Sequence, residues 1–457
     1  MALGVLVSCG DTAKDGVGTD SSVTTDTNAE DNTEADEPYK EETLAPVELK
    51  EYDLKEFKIV YADDAYAVYA ETLRDEIKAK TSVELEAVKD GSSGKNGELV
   101  LMVGECMRSF SKTALDYSNT LYFDKVGVVC EKGRVQLLGR DVRTLDASID
   151  YFLENLVNNN SEKLMIPEEG ALGTINPAKG DTIPKKTTKN TLRVVTNNIL
   201  LQDILRSADR ATDLFSAYML MDADVYCLQE VDMLWHAFYK LDTNMKRMGY
   251  EVYPPNNTNA RNPIYYKSEV FKLVDGGNKL YDGSSFTDGT YPQSFYNWVC
   301  LEHKETGKKI IVASTHFIAR MTNADLTEEQ RLEKANIYRE ESARQLIAGL
   351  DEIKSTQSAD AVIVMGDFNN NCESPAYKLL SSKLNSAREK CSSTKNMNYQ
   401  TYLGQPLGKE PKKGSDKVID HVFYTGAIDA KHYETVISPY TYAYSDHVPV
   451  LFDFILK

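Results

Sequence analysis

The chain is organised around the stretch Ala361–Asn371, which reads Ala-Val-Ile-Val-Met-Gly-Asp-Phe-Asn-Asn-Asn. Its first five residues are apolar and predict a buried strand. Gly366 would let the backbone turn sharply after that strand. Asp367 and Asn369 follow at the carboxyl end, two residues apart. If the strand geometry continues, both side chains project from one face.

A carboxylate beside an amide suits chemistry on hard, charged groups. The carboxylate of Asp367 could bind a cation or take a proton, and the amide of Asn369 could position a phosphate oxygen. The simpler interpretation is an Asx-turn that closes the strand. Other segments of the chain must therefore point to the same place before a functional site is inferred.

Length and charge set the outer limits. A chain of 457 residues exceeds what one core usually supports, which predicts two domains. The net charge is −18, and half of it comes from residues 11–42, which hold eleven acidic residues and two lysines. The remainder is mildly acidic, which argues against a broad basic surface for nucleic acid but not against a local one.

The first nine residues resemble the end of a bacterial lipoprotein signal. Leu6-Val7-Ser8-Cys9 matches the lipobox pattern, with Cys9 as the lipidated residue. The basic start of such a signal is missing, so the signal would be truncated; an ordinary N-terminus is the alternative. Residues 10–47 are predicted to be a disordered acidic tether. Together they predict an extracellular protein held at the bacterial membrane by a lipid anchor.

Residues 48–166 are predicted to form a small α/β accessory domain. Its pattern of strands and helices loosely resembles the small domain that precedes the barrel in some bacterial glycoside hydrolases. It contains no acid pair or metal-ligand cluster, so a scaffolding or docking role is expected. Residues 167–190 are rich in Pro and Gly and are predicted to be a linker.

Residues 191–457 place polar side chains after predicted strands. A long helix is also expected from Thr327 to about Lys354, opened by a capping box with Gln330. The apolar stripe of this helix consists of Leu332, Ala335, Ala343, Leu346, Leu350 and Ile353. The polar residues at strand ends are Asn198, Glu230, His316, Asp367 with Asn369, Asp420, and Asp446 with His447.

Each of these polar residues has a simpler interpretation by itself. Glu230 could be a solvated strand end, His316 a hydrogen-bonded structural histidine, and Asp420 part of a surface turn. Asp446 and His447 could simply end a strand. Six separate segments that each supply a group used in phosphate chemistry are much less easily explained by coincidence.

The motifs around these residues resemble the endonuclease/exonuclease/phosphatase superfamily, the deoxyribonuclease-like fold. The matching segments are Leu-Arg-Val-Val-Thr-Asn-Asn198-Ile, Asp-Val-Tyr-Cys-Leu-Gln-Glu230-Val, Ala-Ser-Thr-His316-Phe, Met-Gly-Asp367-Phe-Asn369, Val-Ile-Asp420-His-Val-Phe and Tyr-Ser-Asp446-His447-Val-Pro-Val. The resemblance implies a four-layer α/β sandwich of two mostly antiparallel sheets with helices outside.

The resemblance also implies a divalent cation, Mg²⁺ first, with Mn²⁺ or Ca²⁺ as alternatives. Glu230 would hold it, assisted by Asn198 and Asp446. Few protein ligands and several waters are what Mg²⁺ prefers. The cation would neutralise charge that develops on the phosphoryl oxygens.

Catalytic roles follow from the same resemblance. His447, oriented by Asp420, would be a general base or a charge stabiliser. Asp367 would align or deprotonate the attacking water, and Asn369 would fix that water or a phosphate oxygen. His316 would contact the phosphate or protonate the leaving oxygen.

Two positions need separate comment. The residue before Asn198 is usually aromatic in the superfamily and is Asn197 here, so a slip of one residue in the strand would exchange the two side chains; the register that points Asn198 into the site is preferred. Arg320 is a candidate phosphate contact, and a solvated loop arginine is the equal alternative.

These observations predict a surface-tethered, metal-dependent phosphoesterase acting on a phosphodiester or a phosphomonoester. A phosphorylated small molecule is the preferred substrate, while nucleic acid is retained but not favoured. A secreted nuclease, a sphingomyelinase-like phosphodiesterase and a binding lipoprotein that keeps the fold without turnover are the alternatives. Pairing of Cys372 with Cys391 is left open.

Overall fold

The computed structural model describes residues 48–91, 97–104, 106, 125–138, 142–175, 185–186, 188–200, 208–237, 240–254, 261–283, 294–320, 325–414 and 416–457. The predicted signal with Cys9 and the predicted tether lie outside these residues. Within them, no helix combines the length and the apolar character needed to cross a membrane.

The N-terminal part is built around a six-stranded sheet. Its order is Ala87–Lys89, Lys58–Tyr61, Val100–Val103, Arg134–Leu137, Lys125–Glu131 and Glu169–Ile175. The helices Ala67–Thr81 and Val142–Asn155 pack with it around a shared apolar core. Leu49–Asp53 pairs antiparallel with Lys163–Pro167, and the short 3-10 helices Leu54–Glu56 and Asp64–Tyr66 complete this part.

The strand Glu169–Ile175 falls in a segment that the sequence predicts to be linker. The linker prediction rests partly on its glycines, but Gly173 is needed for close contact between two strands. A Cβ at this position would lie 2.4 Å from the carbonyl oxygen of Val126. Here the glycine permits pairing with Lys125–Glu131 and does not mark a loop.

Two further sheets form the rest of the described chain. The seven-stranded sheet has the order Tyr250–Tyr253, Ile264–Lys267, Val225–Gln229, Leu192–Asn198, Val450–Leu456, Ile428–Thr435 and Ser393–Lys395. The six-stranded sheet has the order Phe271–Leu280, Phe295–His303, Lys309–His316, Ala361–Asp367, Asp420–Gly426 and Asn385–Ser386. Most neighbours are antiparallel, and the parallel pairs are Leu192–Asn198 with Val225–Gln229, Ile428–Thr435 with Ser393–Lys395, and Lys309–His316 with Ala361–Asp367. The first and the last of these pairs carry site residues.

The two sheets pack face to face through an apolar layer that includes Val194, Cys227, Val312, Met365 and Phe452. The helix Ala208–Met221 covers the outer face of the seven-stranded sheet. The helices Glu328–Gln357 and Pro375–Lys383 cover the outer face of the six-stranded sheet. This is the predicted four-layer α/β sandwich with helices outside, and that prediction is confirmed.

Several local predictions differ from the structure. The sequence of residues 233–248 predicts one helix, but the structure has two, Met233–Ala237 and Leu241–Arg247, because Lys240 adopts a left-handed conformation before the second. The helix Ala387–Lys390 was not foreseen. The capping box of Thr327 and Gln330 is present, but Leu332 is 52% exposed because the buried face of its helix begins at Ala335.

The six described cysteines are free, including Cys372 and Cys391. Cys227 and Cys300 are fully buried in apolar layers. Burial raises the pKa of the Cys300 thiol to about 11, so this side chain behaves as a small apolar residue.

Candidate active site

Three adjacent strands of the six-stranded sheet end at one rim with a polar residue each. His316 is the last residue of Lys309–His316, and Asp367 is the last residue of Ala361–Asp367. The two strands are parallel, and these residues are register partners. Asp420 begins Asp420–Gly426 and is paired with Asp367 across the next ladder. Sheet register alone therefore sets an imidazole and two carboxylates in a row.

The seven-stranded sheet brings a second group to the same rim. Asn198 ends Leu192–Asn198, and Glu230 follows directly after Val225–Gln229, its parallel neighbour. Glu230 has φ of 59°, an unusual backbone conformation for a residue other than glycine. Strained backbone of this kind is often found at functional sites, which is consistent with a functional role for the Glu230 side chain.

The loop before the strand Val450–Leu456 supplies His447. Ser445 anchors this loop, since its hydroxyl donates to the carbonyl oxygen of Asn198 at 2.7 Å and accepts from the backbone N–H of His447 at 3.1 Å. Ser445 thus fixes the His447 loop to the end of the strand Leu192–Asn198. This residue was not singled out from the sequence, although it directly precedes the Asp446-His447 pair.

The carboxylate oxygen Oδ2 of Asp367 is the centre of the site. Asn198 Nδ2 donates to it at 3.1 Å, and the Nε2 atoms of His316 and His447 lie 3.4 Å and 3.7 Å away. Asn198 Nδ2 is also 3.1 Å from Glu230 Oε1. The structure therefore brings five predicted residues together. Asn198, His316 and His447 surround Asp367, and Glu230 joins the group through Asn198.

Asp420 orients His447 from behind. Asp420 Oδ2 lies 2.9 Å from His447 Nδ1, so this carboxylate fixes the ring and leaves Nε2 facing Asp367. Asp420 and Asp367 outweigh the cost of burying the charge and raise the pKa of His447 to about 10. Burial and the neighbouring Asp420 raise the pKa of Asp367. The pair holds an imidazolium next to a carboxylate that accepts a proton readily.

The register around Asn198 is the preferred one. Asn197 points to the opposite face, where its Oδ1 accepts from the hydroxyls of Tyr218 at 3.0 Å and Tyr444 at 2.7 Å. Asn197 is fully buried in this tyrosine cluster. This polar residue is tolerated in a fully buried position because two tyrosine hydroxyls satisfy it.

Asn198 presents its amide nitrogen to the site. Its Oδ1 accepts from the backbone N–H of Leu200 at 3.0 Å, which turns Nδ2 toward Glu230 and Asp367. As a cation ligand, the predicted role, the amide would have to turn so that Oδ1 faces the two carboxylates. That role stays a prediction.

The expectation that Asp367 and Asn369 project together from a continuing strand is wrong. The strand ends at Asp367, and Asn369 has φ of 52°. The backbone N–H of Asn369 donates to Asp367 Oδ1 at 2.8 Å, which is the Asx-turn of the simpler interpretation. Asn369 Nδ2 donates to the carbonyl oxygen of Phe317 at 2.9 Å. Asp367 therefore serves the turn with one oxygen and the site with the other.

The sharp turn expected at Gly366 is also absent. Gly366 lies inside the strand and pairs with Thr315 and His421. A Cβ at this position would lie 1.9 Å from the carbonyl oxygen of Thr315. Close approach of the two parallel strands that carry His316 and Asp367, and not a turn, requires the glycine.

The remaining predicted residues are at the margin of this group. Asp446 is 7% exposed, and burial together with the charge of Glu230 raises its pKa, which places it in the field of the same site. Arg320 is exposed in the loop after His316. The ring of Tyr402, which the sequence did not single out, lies 5.0 Å from that of His447, with Lys417 Nζ 5.7 Å from the Tyr402 ring centre.

The donor set suits a divalent cation. Ligand atoms of Asp367, Asp420 and His447 lie within 4.8 Å of one another. Asp420 Oδ1 is buried without a hydrogen-bond partner. Glu230 lies on the other side of Asp367, and its side chain is 20% exposed, which leaves room for a cation that keeps part of its water shell. Because His447 is already held by Asp420, the side of Glu230 and Asp446 fits a hydrated ion better than the fully buried side of Asp420.

A sandwich of this type, with carboxylates and imidazoles gathered at one rim, is the arrangement of a hydrolase that acts on phosphate esters. The model of the endonuclease/exonuclease/phosphatase family matches residues 191–447, more than half of the chain. The chain belongs to this family. The enzyme is a phosphoester hydrolase, and the family generally depends on a divalent metal.

Solved structures similar to the chain include a family member from Bacteroides thetaiotaomicron, at 18% identity, covering 58% of this chain and 95% of that one, with a TM-score of 0.46. A mannosyl-6-phosphatase from the same organism is 19% identical over 58% of this chain and all of that one, TM-score 0.46. The human Nocturnin catalytic domain with bound sulfate is 23% identical over 59% and 95%, TM-score 0.44. No curated protein matches the chain significantly.

Proposed function

We propose that this hydrolase cleaves a phosphorylated small molecule or a small phosphodiester with Mg²⁺, at the outer face of a bacterial membrane. The observation that carries the chemistry is the surrounding of Asp367 Oδ2 by Asn198 Nδ2 and by the Nε2 atoms of His316 and His447. A buried proton acceptor thus lies close to two imidazoles, and these are the groups that hydrolysis by water requires.

Asp367 is the group best suited to the attacking water. Its raised pKa, caused first by burial, makes it a better base than an exposed aspartate. The oxygen of the water forms a bond to phosphorus while Asp367 takes its proton. The bond from phosphorus to the ester oxygen breaks, and His316 donates the proton that the leaving oxygen needs. The products are the phosphate and the alcohol.

His447 acts as a charge stabiliser in this scheme. With a pKa of about 10 it carries a proton at neutral pH, and a protonated imidazole cannot accept another. Its Nε2–H instead donates toward the oxygens on which negative charge develops. Asp420 keeps the ring in this orientation through the 2.9 Å contact to Nδ1.

Glu230 and Asp446 would hold the Mg²⁺, with Asn198 as a third ligand once its amide has turned. The ion supplies positive charge that offsets the developing charge on the phosphoryl oxygens. Mn²⁺ or Ca²⁺ could take its place at the same oxygens, since all three are hard cations with oxygen ligands.

The rim of the site favours a small substrate over nucleic acid. Two described basic side chains act on Tyr402 beside the catalytic group: the charge of Arg320 lowers the pKa of its hydroxyl against the effect of burial, and Lys417 Nζ lies 5.7 Å from its ring centre. Two cations and one ring are enough to bind a phosphate or a sugar ring. A nuclease would need a longer basic groove along the strand.

The test is hydrolysis of bis-p-nitrophenyl phosphate and p-nitrophenyl phosphate with Mg²⁺, followed by phosphate release from a panel of sugar, nucleotide and lipid phosphates. We expect activity that EDTA abolishes and that falls about 10²–10⁴-fold in His447→Ala. His303→Ala is the matched control, since His303 contacts Thr306 at the far end of its strand. A wild-type protein inert on every substrate would refute the proposal and support a binding lipoprotein.

The substrate panel separates the remaining alternatives. Preference for DNA or RNA over small phosphates would point to a secreted nuclease, and preference for sphingomyelin would point to a sphingomyelinase-like enzyme. Either result would replace the small-molecule substrate proposed above without changing the catalytic group.

Surface tethering through Cys9 is a separate part of the proposal. It is supported by the lipobox-like sequence that precedes the acidic segment. Metabolic labelling with a fatty acid, followed by membrane fractionation, should give a labelled membrane protein that Cys9→Ala releases. Membrane association that persists unchanged in Cys9→Ala would contradict the lipid anchor.

A further inference from the structure

The segment 316–320, which carries His316 and Arg320, has four successive carbonyl oxygens that each accept a side-chain hydrogen bond. Ser294 Oγ donates to His316 O at 2.7 Å, and Asn369 Nδ2 donates to Phe317 O at 2.9 Å. The next two carbonyls, of residues 318 and 319, are both held by one side chain, that of Arg339. Irregular backbone held in this way has little freedom to move.

Arg339 lies in the long helix Glu328–Gln357 and is 5% exposed. Its Nε donates to Ile318 O at 2.8 Å, its Nη2 donates to Ala319 O, and its Nη1 donates to Asn336 Oδ1 at 2.8 Å. A buried guanidinium is costly unless its donors are satisfied. Among the described residues none forms an ion pair with Arg339, so backbone carbonyls take the place that a carboxylate usually fills.

The fork geometry explains why arginine stands here. Two donors of one planar group reach two consecutive carbonyl oxygens, which fixes both the position and the direction of the loop. A lysine offers a single ammonium and could reach one of them. Burial lowers the pKa of Arg339 to about 10, and the charge of Asp367 opposes this shift, which places the guanidinium within the field of the active-site carboxylate.

We propose that Arg339 is a positioning residue for the reaction: it fixes the segment 316–320 so that His316 Nε2 stays beside Asp367 and Arg320 stays at the mouth of the site. The kinetic part of this inference depends on the proposed function. The part concerning the loop does not, because it can be measured without substrate.

The experiment compares Arg339→Met and Arg339→Lys with wild type and with Arg344→Met. Arg344 lies on the same helix with a 56% exposed side chain, pairs with Glu340, and serves as the matched control. Amide hydrogen exchange is followed by mass spectrometry across the chain, and hydrolysis of bis-p-nitrophenyl phosphate is measured with Mg²⁺.

Exchange in peptides covering 316–320 should become at least about tenfold faster in Arg339→Met, while other peptides keep their rates. The value of kcat/KM should fall at least about tenfold, with Arg339→Lys between the two and Arg344→Met unchanged. Unchanged exchange at 316–320, equal acceleration in every peptide, or activity within twofold of wild type would each overturn the proposal. If the wild type hydrolyses nothing, the proposed function fails, and the exchange data still decide whether Arg339 holds the loop.

Discussion

At the scale of single residues, the site is defined by what surrounds one oxygen atom. Asp367 Oδ2 is approached by an amide and two imidazoles, while Asp367 Oδ1 is occupied by the turn that follows the strand. One oxygen of this carboxylate therefore stabilises the turn, and the other faces the catalytic group. This division explains how a residue can be both a local structural element and the proton acceptor of a reaction.

Asp420→Asn should lower the pKa of His447. The charge of Asp420 is the largest contribution that raises this pKa to about 10, so its removal should bring the value down toward the ordinary 6.5. The measurement is a titration of the His447 ring by ¹⁵N NMR on metal-free protein, with Asp429→Asn, at a half-exposed surface position, as control. A His447 pKa that stays near 10 in Asp420→Asn would show that Asp367 alone sets it.

Much of the residue list could be predicted from the sequence because polar residues directly after apolar strands are easy to recognise. Tyr402 could not, since it stands in an irregular loop without periodicity. Arg339 does have a sequence signal, because it lies four residues from both Ala335 and Ala343, on the apolar stripe of its helix. A charged residue on such a stripe is expected to be buried only where its charged group has hydrogen-bond partners.

At the scale of elements, the site depends on how closely two parallel strands approach. Lys309–His316 and Ala361–Asp367 run side by side for their whole length, and their last residues are partners. Sequence periodicity predicts that such strands exist but not which of them are neighbours, because pairing is decided by contacts between distant segments. The turn wrongly expected at Gly366 is an example, since only the position of Thr315 O reveals why glycine is required.

Gly366→Ala should reduce both stability and activity. The new Cβ would meet Thr315 O at 1.9 Å, so the strands must separate at the site, and overpacking of this kind costs about 1–3 kcal/mol. We expect a lower urea midpoint and slower hydrolysis by the folded protein. Gly91→Ala is the control because no atom of the described residues lies within 4 Å of a Cβ there. Equal behaviour of the two variants would contradict the close-approach argument.

At the scale of the whole molecule, buried ionisable groups connect stability to pH. His421 is 2% exposed, and its Nε2 lies 2.7 Å from the carbonyl oxygen of Asn370. Burial lowers the pKa of His421 to about 4. The ring is therefore neutral in the folded protein under conditions where the unfolded chain, with an ordinary pKa near 6.5, binds a proton.

The free energy of unfolding should be unaffected by His421 above pH 6.5 and should decrease as the pH falls from 6.5 to 4. Between these values the unfolded chain binds a proton at His421 and the folded protein does not. The loss amounts to roughly 3 kcal/mol for a shift of this size. Urea unfolding at pH 7 and pH 4.5 should show a smaller difference for His421→Gln, whose amide can still donate to Asn370 O. Parallel pH dependence in the two proteins would contradict the assignment.

The four-layer architecture could be predicted because the sequence motifs resemble those of a known family, whose fold the resemblance implies. The details that were missed are those that need three dimensions: the strand Glu169–Ile175 beside Gly127, the division of the helix at Lys240, and the exposure of Leu332. In each case the local sequence pattern does not show which distant residues contact the residue in question.

The strand Val450–Leu456 lies between Leu192–Asn198 and Ile428–Thr435, so a segment that follows both of its neighbours in the sequence fills the middle of the seven-stranded sheet. During translation the earlier strands leave the ribosome with a gap between them, and His447 comes out immediately ahead of the piece that closes it. A nascent chain that has made everything up to residue 440 would still lack a complete sheet and one of its imidazoles. The enzyme therefore cannot turn over its first substrate before the residues from His447 to Leu456 have been made.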